Sequence, residues 1–88
     1  MSHLVAELKK EASRIACLFR VGQEVIAQQD VVVLAERLMG FASTERPNQL
    51  TVWVEWIGRV MSCQEAQDWL GLADYLDYEL VELLEGSR

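Results

Sequence analysis

The chain has 88 residues, of which 51% are apolar, and its 14 acidic and 8 basic side chains give a net charge of −6. This length predicts a single domain over residues 1–88. The apolar content excludes a disordered tail. Two cysteines are too few for a disulfide scaffold, and the negative charge argues against a nucleic-acid-binding protein.

No segment of the sequence predicts a membrane span or a targeting peptide. Purely apolar runs such as residues 31–35 reach only five residues, far short of the roughly 20 residues that a membrane helix needs. The first ten residues contain no uninterrupted apolar stretch, so no signal peptide is expected. Cys17 and Cys63 are widely spaced and form no CxxC motif, which fits a reducing compartment. We therefore expect a cytoplasmic protein without membrane association.

Apolar residues recur with the period of an α-helix along the whole chain. One proline and five glycines are too few for an all-β domain, which needs frequent turn signals. The periodic segments predict helices over about residues 3–20, 23–42, 47–61 and 63–85. A strand over residues 31–34 is conceivable because three valines lie there, but no partner strand offers itself. The sequence predicts an all-α, antiparallel up-down four-helix bundle.

Glycine and proline predict the first two helix boundaries. Gly22 follows the last periodic residue of the first helix and is expected to end it, because glycine tolerates the left-handed cap conformation. The alternative is one helix that runs past Gly22. Residues 43–48 form the predicted middle loop, and Pro47 suits the first turn of the third helix.

The boundary between the third and fourth helices has two candidates. Ser62 and Glu65 have the spacing of a capping box, so the fourth helix is expected to begin there. Gly71 is the rival boundary, in which case the third helix would continue to Leu70. The fourth helix has the most regular apolar stripe of the chain: Trp69, Ala73, Leu76, Leu80 and Leu83.

Catalytic and metal-binding patterns are missing from the sequence. A di-metal site in a helix bundle needs paired Glu-x-x-His motifs, but His3 is the only histidine. The same shortage leaves no base to activate a serine or cysteine nucleophile, and no glycine-rich phosphate loop is present. We expect no metal, no cofactor and no enzymatic activity.

The charge is distributed asymmetrically, because the whole acidic excess lies after residue 46. Between Ser62 and Gly86 there are seven acidic residues and no basic one. Such a surface can simply keep an apolar-rich protein soluble. Tyrosines among carboxylates can also dock a basic protein partner, since they supply contact area while the charge steers association. The predicted partner-binding residues are Asp74, Tyr75, Tyr78, Glu79 and Glu82.

The apolar surplus predicts self-association. A domain of this size buries only about 60–65% of its unfolded surface, and two-fold closure is the commonest way to cover the remainder. Val33 falls on the otherwise polar side of the second helix, and Trp56 lies on a flank of the third. We expect a homodimer that uses parts of these two helices, with Val33 and Trp56 as its contact residues.

The sequence favours a small, non-catalytic protein-interaction module, either an adaptor or a chaperone-like protein that offers helix faces to another chain. Two alternatives stay open. One is a binder of a small apolar ligand between the helices, near Met39, Trp53 and Trp69. The other is a structural subunit of a larger assembly. The eight residues 73–80 resemble the last helix of small bacterial helical proteins, a likeness that implies no function.

Overall fold

Four helices make up residues 3–86, the part of the chain that the computed structural model describes. The first three are α1 (His3–Arg20), α2 (Glu24–Glu45) and α3 (Leu50–Glu65), and a 3-10 turn at Pro47–Gln49 leads into α3. The fourth helix begins as α4 (Trp69–Asp74), continues through a π-helical turn (Tyr75–Glu79) and ends as α5 (Leu80–Gly86). No strand occurs in these residues, so the all-α prediction is confirmed.

The helices form a four-helix bundle in which each packs on its neighbours in the chain, and α1 also packs on the fourth helix. Lys9 pairs with Glu85 near one end of α1, and Arg20 pairs with Asp74 and Asp77 near the other. These cross-connections mean that α1 and the fourth helix run in opposite directions. No helix in the described residues is long and apolar enough to cross a bilayer.

The core is formed by one stripe of side chains from each helix, and no polar or charged residue is buried in the described part. Trp53 is its largest fully buried side chain. Packing of this apolar interior stabilises the bundle, since most helical stability in proteins comes from tertiary packing of an apolar face and not from helix propensity. The buried residues are Leu8, Ala12, Ile15, Ala16, Phe19, Ala27, Val31, Leu34, Leu38, Phe41, Ala42, Trp53, Trp56, Val60, Leu72, Ala73, Leu76, Leu80 and Leu84.

Gly22 ends α1 as predicted. Its φ is +86°, a value that side chains with a Cβ rarely adopt. The Gln23 N–H donates to the Leu18 carbonyl (2.9 Å) and the Gly22 N–H donates to the Phe19 carbonyl (3.3 Å). This pair of bonds is the Schellman motif, which satisfies the last carbonyls of a helix. One continuous helix through Gly22 is therefore excluded.

The predicted start of the fourth helix is wrong. Helix α3 continues through Ser62 to Glu65, so the apparent capping box lies inside a helix. The chain turns at Gln67, which has a φ of +58°, and the Asp68 N–H donates to the Cys63 carbonyl (2.9 Å). Asp68 is the actual N-cap. The pattern failed because a Ser-x-x-Glu sequence is also compatible with a helix interior when the apolar stripe continues through it.

Gly71 is not a boundary either, because it lies in the first turn of α4. The Asp68 carboxylate accepts a hydrogen bond from the Gly71 N–H, at 3.1 Å from Oδ1. A Cβ at position 71 would meet the side chain of Asp68, whose Cγ would be 2.8 Å away and whose Oδ2 would be closer still. Glycine therefore leaves room here for close approach of the capping carboxylate. The C-terminal end of α2 also differs from the prediction, since α2 continues to Glu45 and does not end at residue 42.

The buried stripe of the fourth helix keeps the predicted Ala73, Leu76 and Leu80 and adds Leu72 and Leu84. Leu72, Leu76, Leu80 and Leu84 are buried at steps of four, whereas Trp69 and Leu83 are only partly buried. In a regular α-helix, each step of four residues turns about 40° beyond a full turn, so such a stripe would drift off the core. The wider π-helical turn at Tyr75–Glu79 reduces this rotation and keeps all four leucines facing inward.

Candidate interaction surfaces

The solvent side of α2 carries several aliphatic side chains. Its other side contributes Ala27, Val31, Leu34, Leu38 and Phe41 to the core, yet four aliphatic side chains on the solvent side stay 46–70% exposed. At 100° per residue these side chains share one face with two polar residues and a glycine. We call this the α2 outer face, and its residues are Val25, Ile26, Gln29, Val32, Val33, Glu36 and Gly40.

Apolar side chains on a helix are normally covered by neighbouring elements. Among the described residues α2 packs mainly against α1 and α3, and the aliphatic side chains of its outer face are left exposed. Single exposed aliphatic side chains are ordinary, but contiguous groups of them mark contact surfaces in soluble proteins. The α2 outer face is therefore the first candidate for a binding surface.

Of the two residues predicted for self-association, only Val33 lies on the surface, with 52% exposure. The placement of Trp56 on an exposed flank is corrected, because its side chain is 4% exposed. Its ring packs edge-on against Trp53, with 6.5 Å between the ring centroids. Burial of so large an aromatic surface favours the core over solvent. Trp56 therefore holds α3 in the bundle and presents no ring to a second molecule.

The five residues predicted for partner binding lie on or beside the π-helical turn, but they are not equally available. Asp74 accepts a hydrogen bond from Arg20 at 3.3 Å, and Tyr75 is half-buried against the core. The remaining three side chains, Tyr78, Glu79 and Glu82, are exposed. We call these three the acidic face.

Part of the acidic character of the fourth helix is used inside the protein. Arg20 donates to Asp77 at 2.5 Å, and Lys9 to Glu85 at the same distance. The hydrogen bond to Asp77, with a smaller contribution from Asp74, raises the pKa of the Arg20 guanidinium. Sequence reasoning missed these pairs, because it could not tell which basic residues of α1 face which carboxylates.

Arg46 connects the end of α2 to the end of the fourth helix. Its guanidinium donates to the carbonyl oxygens of Leu83 (3.0 Å) and Leu84 (2.8 Å). It also lies over the Phe41 ring, with 5.2 Å from Cζ to the ring centroid. A cation at a helix C-terminus interacts favourably with the helix dipole and with the last carbonyls, which lack partners within the helix. Arg46 thereby fixes the position of the helix that carries the acidic face.

The tryptophans proposed to surround a ligand pack mainly on other aromatic rings. Trp69 stacks on Phe19 with 5.4 Å between ring centroids, and Trp53 meets Phe41 edge-on at 6.0 Å. The indole N–H groups of Trp53 and Trp56 find no hydrogen-bond acceptor among the described residues. Aromatic packing thus accounts for these residues.

The two thiols differ in environment. Cys17 is exposed and Cys63 is half-buried. Burial, and then the charge of Asp68, raise the pKa of the Cys63 thiol. Among the described residues, no three His, Cys, Asp or Glu side chains lie close enough to hold a metal ion.

No protein-family model, curated protein or solved structure matches this chain. The fold defines an all-α four-helix bundle, and its function is inferred from the two surfaces described above.

Proposed function

We propose that this protein is a non-enzymatic interaction module, an adaptor that forms a homodimer through the α2 outer face and binds a basic protein partner on its acidic face. The observation that supports the proposal is the solvent exposure of Val25, Ile26, Val32 and Val33 on one helix face. We place the protein in the cytoplasm, where the free thiols of Cys17 and Cys63 would stay reduced.

The energetics favour a weak dimer. Complete burial of a valine or isoleucine contributes about 1.5–3 kcal/mol, and these four side chains are already about half-buried in the single chain. Association also costs at least about 4 kcal/mol of translational and rotational freedom. We therefore expect a dimer that dissociates on dilution rather than an obligate one.

Substitution of Val33 by glutamate tests the self-association surface. Val33→Glu would bury two uncompensated charges per dimer, so we expect at least about a hundredfold rise in the dimer dissociation constant. Light-scattering mass after size exclusion, over a dilution series at low and high salt, measures it. The apolar contact predicts little salt dependence.

The matched control is Val52→Glu. Val52 is the same residue type and is 47% exposed, but it lies on the α3 flank that carries Trp56. The Val52→Glu variant should leave the light-scattering mass of the protein unchanged. A mass that responds to Val52→Glu and not to Val33→Glu would move the dimer interface to α3. A wild-type protein that is monomeric at all concentrations would refute self-association.

The acidic face is tested by charge reversal. Glu79→Lys with Glu82→Lys should weaken binding of a lysine-rich helical peptide and flatten the salt dependence of that binding. Glu55→Lys with Glu65→Lys is the control, since both are exposed acidic residues of α3 and the net charge changes equally. Equal loss of binding in both variants would mean that total charge, and not the acidic face, attracts the peptide.

A further inference from the structure

The α2 outer face repeats every seven residues. Its apolar layers are Val25 with Ile26, then Val32 with Val33, then Gly40 with the half-buried Met39 beside it. Gln29 and Glu36 lie between these layers on the same face. A strict seven-residue repeat of apolar positions is the pattern by which one helix packs lengthwise against another. Within the described chain no helix occupies this side of α2, which packs on α1 and α3.

We infer that the occupant is α2 of a second copy, antiparallel to the first, with the two-fold axis through the Val32–Val33 layer. This inference deepens the proposed homodimer and depends on it. A two-fold contact must be self-complementary, because the same residues meet on both sides. With the axis at this position, each apolar layer of the α2 outer face meets an apolar layer and each polar layer meets a polar layer.

The apolar layers match in size in this register. The first layer of one copy, Val25 and Ile26, faces the third layer of the other copy, Met39 and Gly40. A Cβ placed on Gly40 would meet nothing within 4 Å, so open space lies at this position. The larger Ile26 side chain can fill that space, which gives the alternation of large and small residues that closely packed helices need.

The polar layers match in chemistry. Gln29 of one copy faces Glu36 of the other, so the Gln29 amide can donate to the Glu36 carboxylate at two symmetric positions. Hydrogen bonds to charged groups are stronger than neutral ones. A shift by half of the repeat would place Gln29 and Glu36 against apolar layers, and a shift by the full repeat would separate Gln29 from Glu36.

A parallel pair would lack both matches. Glu36 would face Glu36, which places like charges opposite each other. Gly40 would face Gly40 and leave a gap at one end, while Ile26 would face Ile26 at the other. The antiparallel arrangement is therefore the one that the charges and sizes on this face favour.

A charge introduced at position 29 tests the direction. Gln29→Lys creates two ion pairs with Glu36 in the antiparallel dimer, so we expect a dissociation constant lower by about two- to thirtyfold. Gln29→Glu should raise it by a similar factor. No acidic residue lies three or four positions from Gln29 on α2, so the gain from the introduced lysine cannot come from within one helix. In a parallel dimer both variants would weaken association, because position 29 would face itself.

Disulfide cross-linking tests the register in a Cys17→Ser, Cys63→Ala background. Chains carrying both Ile26→Cys and Gly40→Cys should form covalent dimers on mild oxidation. Chains carrying Ile26→Cys alone should not, because the two copies of position 26 lie about 20 Å apart along the helix axis. Positions 26 and 40 of one chain are also about 21 Å apart, which prevents an internal bond.

The outcomes separate this inference from the proposed function. Efficient cross-linking by Ile26→Cys alone, or weaker association of Gln29→Lys, in a protein that is still dimeric by light scattering, would overturn the antiparallel register and leave the homodimer standing. A strictly monomeric wild-type protein would overturn both. If an added amphipathic helical peptide bound to the α2 outer face of such a monomer, the occupant would be a helix of a different protein.

Discussion

Loss of the Arg46 guanidinium should detach the end of the fourth helix from α2. Arg46 donates to two main-chain carbonyls, those of Leu83 and Leu84, at 3.0 and 2.8 Å, and it covers the Phe41 ring. A hydrogen bond to a charged group contributes about 1.5–3 kcal/mol, and a cation–π contact at an exposed site about 0.5–1 kcal/mol. Arg46 is only half-buried, so water can replace part of these interactions when the guanidinium is removed.

We therefore expect Arg46→Ala to lower the free energy of unfolding by about 2 kcal/mol. Arg46→Met keeps an apolar stem over Phe41 and should lower the free energy of unfolding by about 1.5 kcal/mol. Arg46→Lys keeps the charge but not the bidentate hydrogen-bond geometry, and it should lower this free energy by about 1 kcal/mol. Urea unfolding at fixed protein concentration measures the change as a fall in midpoint of about 0.5–2 M.

Hydrogen exchange gives an independent readout. Amide protons in the last turn of the fourth helix should exchange faster in Arg46→Met, because local opening no longer breaks the contacts with Arg46. Arg59→Met is the control, since Arg59 is exposed and its side chain makes no hydrogen bond within the described residues. An Arg46→Met variant whose free energy of unfolding stays within about 0.5 kcal/mol of the wild type, with unchanged exchange in this turn, would refute this role of Arg46.

Two further predictions concern the turn into α4 and the thiols. Asp68→Ala should lower the free energy of unfolding by about 1 kcal/mol, because the N-cap is lost. Gly71→Ala alone should be neutral or destabilising. In the Asp68→Ala background the same substitution should stabilise the protein by about 1 kcal/mol, because the clash with the capping carboxylate is then gone. Urea unfolding of the two single variants and the double variant measures this coupling, and additive changes in the free energy of unfolding would contradict it. Iodoacetamide at pH 8 should alkylate Cys17 faster than Cys63, as followed by mass spectrometry, because the pKa of the Cys63 thiol is raised; equal rates would contradict this. The folded state favours the protonated Cys63, so the wild type should lose stability relative to Cys63→Ala as the pH rises above about 8.5.

The sequence determined the helices and their number, because helical periodicity depends on apolar residues spaced three and four apart. It also determined the end of α1, since only a residue tolerant of positive φ suits the position of Gly22. The acidic excess after residue 46 and the exposure of Val33 could be read from sequence for the same reason: both depend on local spacing alone.

Tertiary packing decided the remaining features. Ser62 and Glu65 fit a cap and a helix interior equally well, and the packing of the partly buried Met61 and Cys63 against the core favoured the interior. Trp56 lies at the edge of its stripe, where the position of the neighbouring helices determines whether a ring is buried. The pairing of Arg20 with Asp77, and of Arg46 with the fourth helix, joins residues distant in the chain. Such contacts depend on which helices lie side by side, and local periodicity carries no information about that.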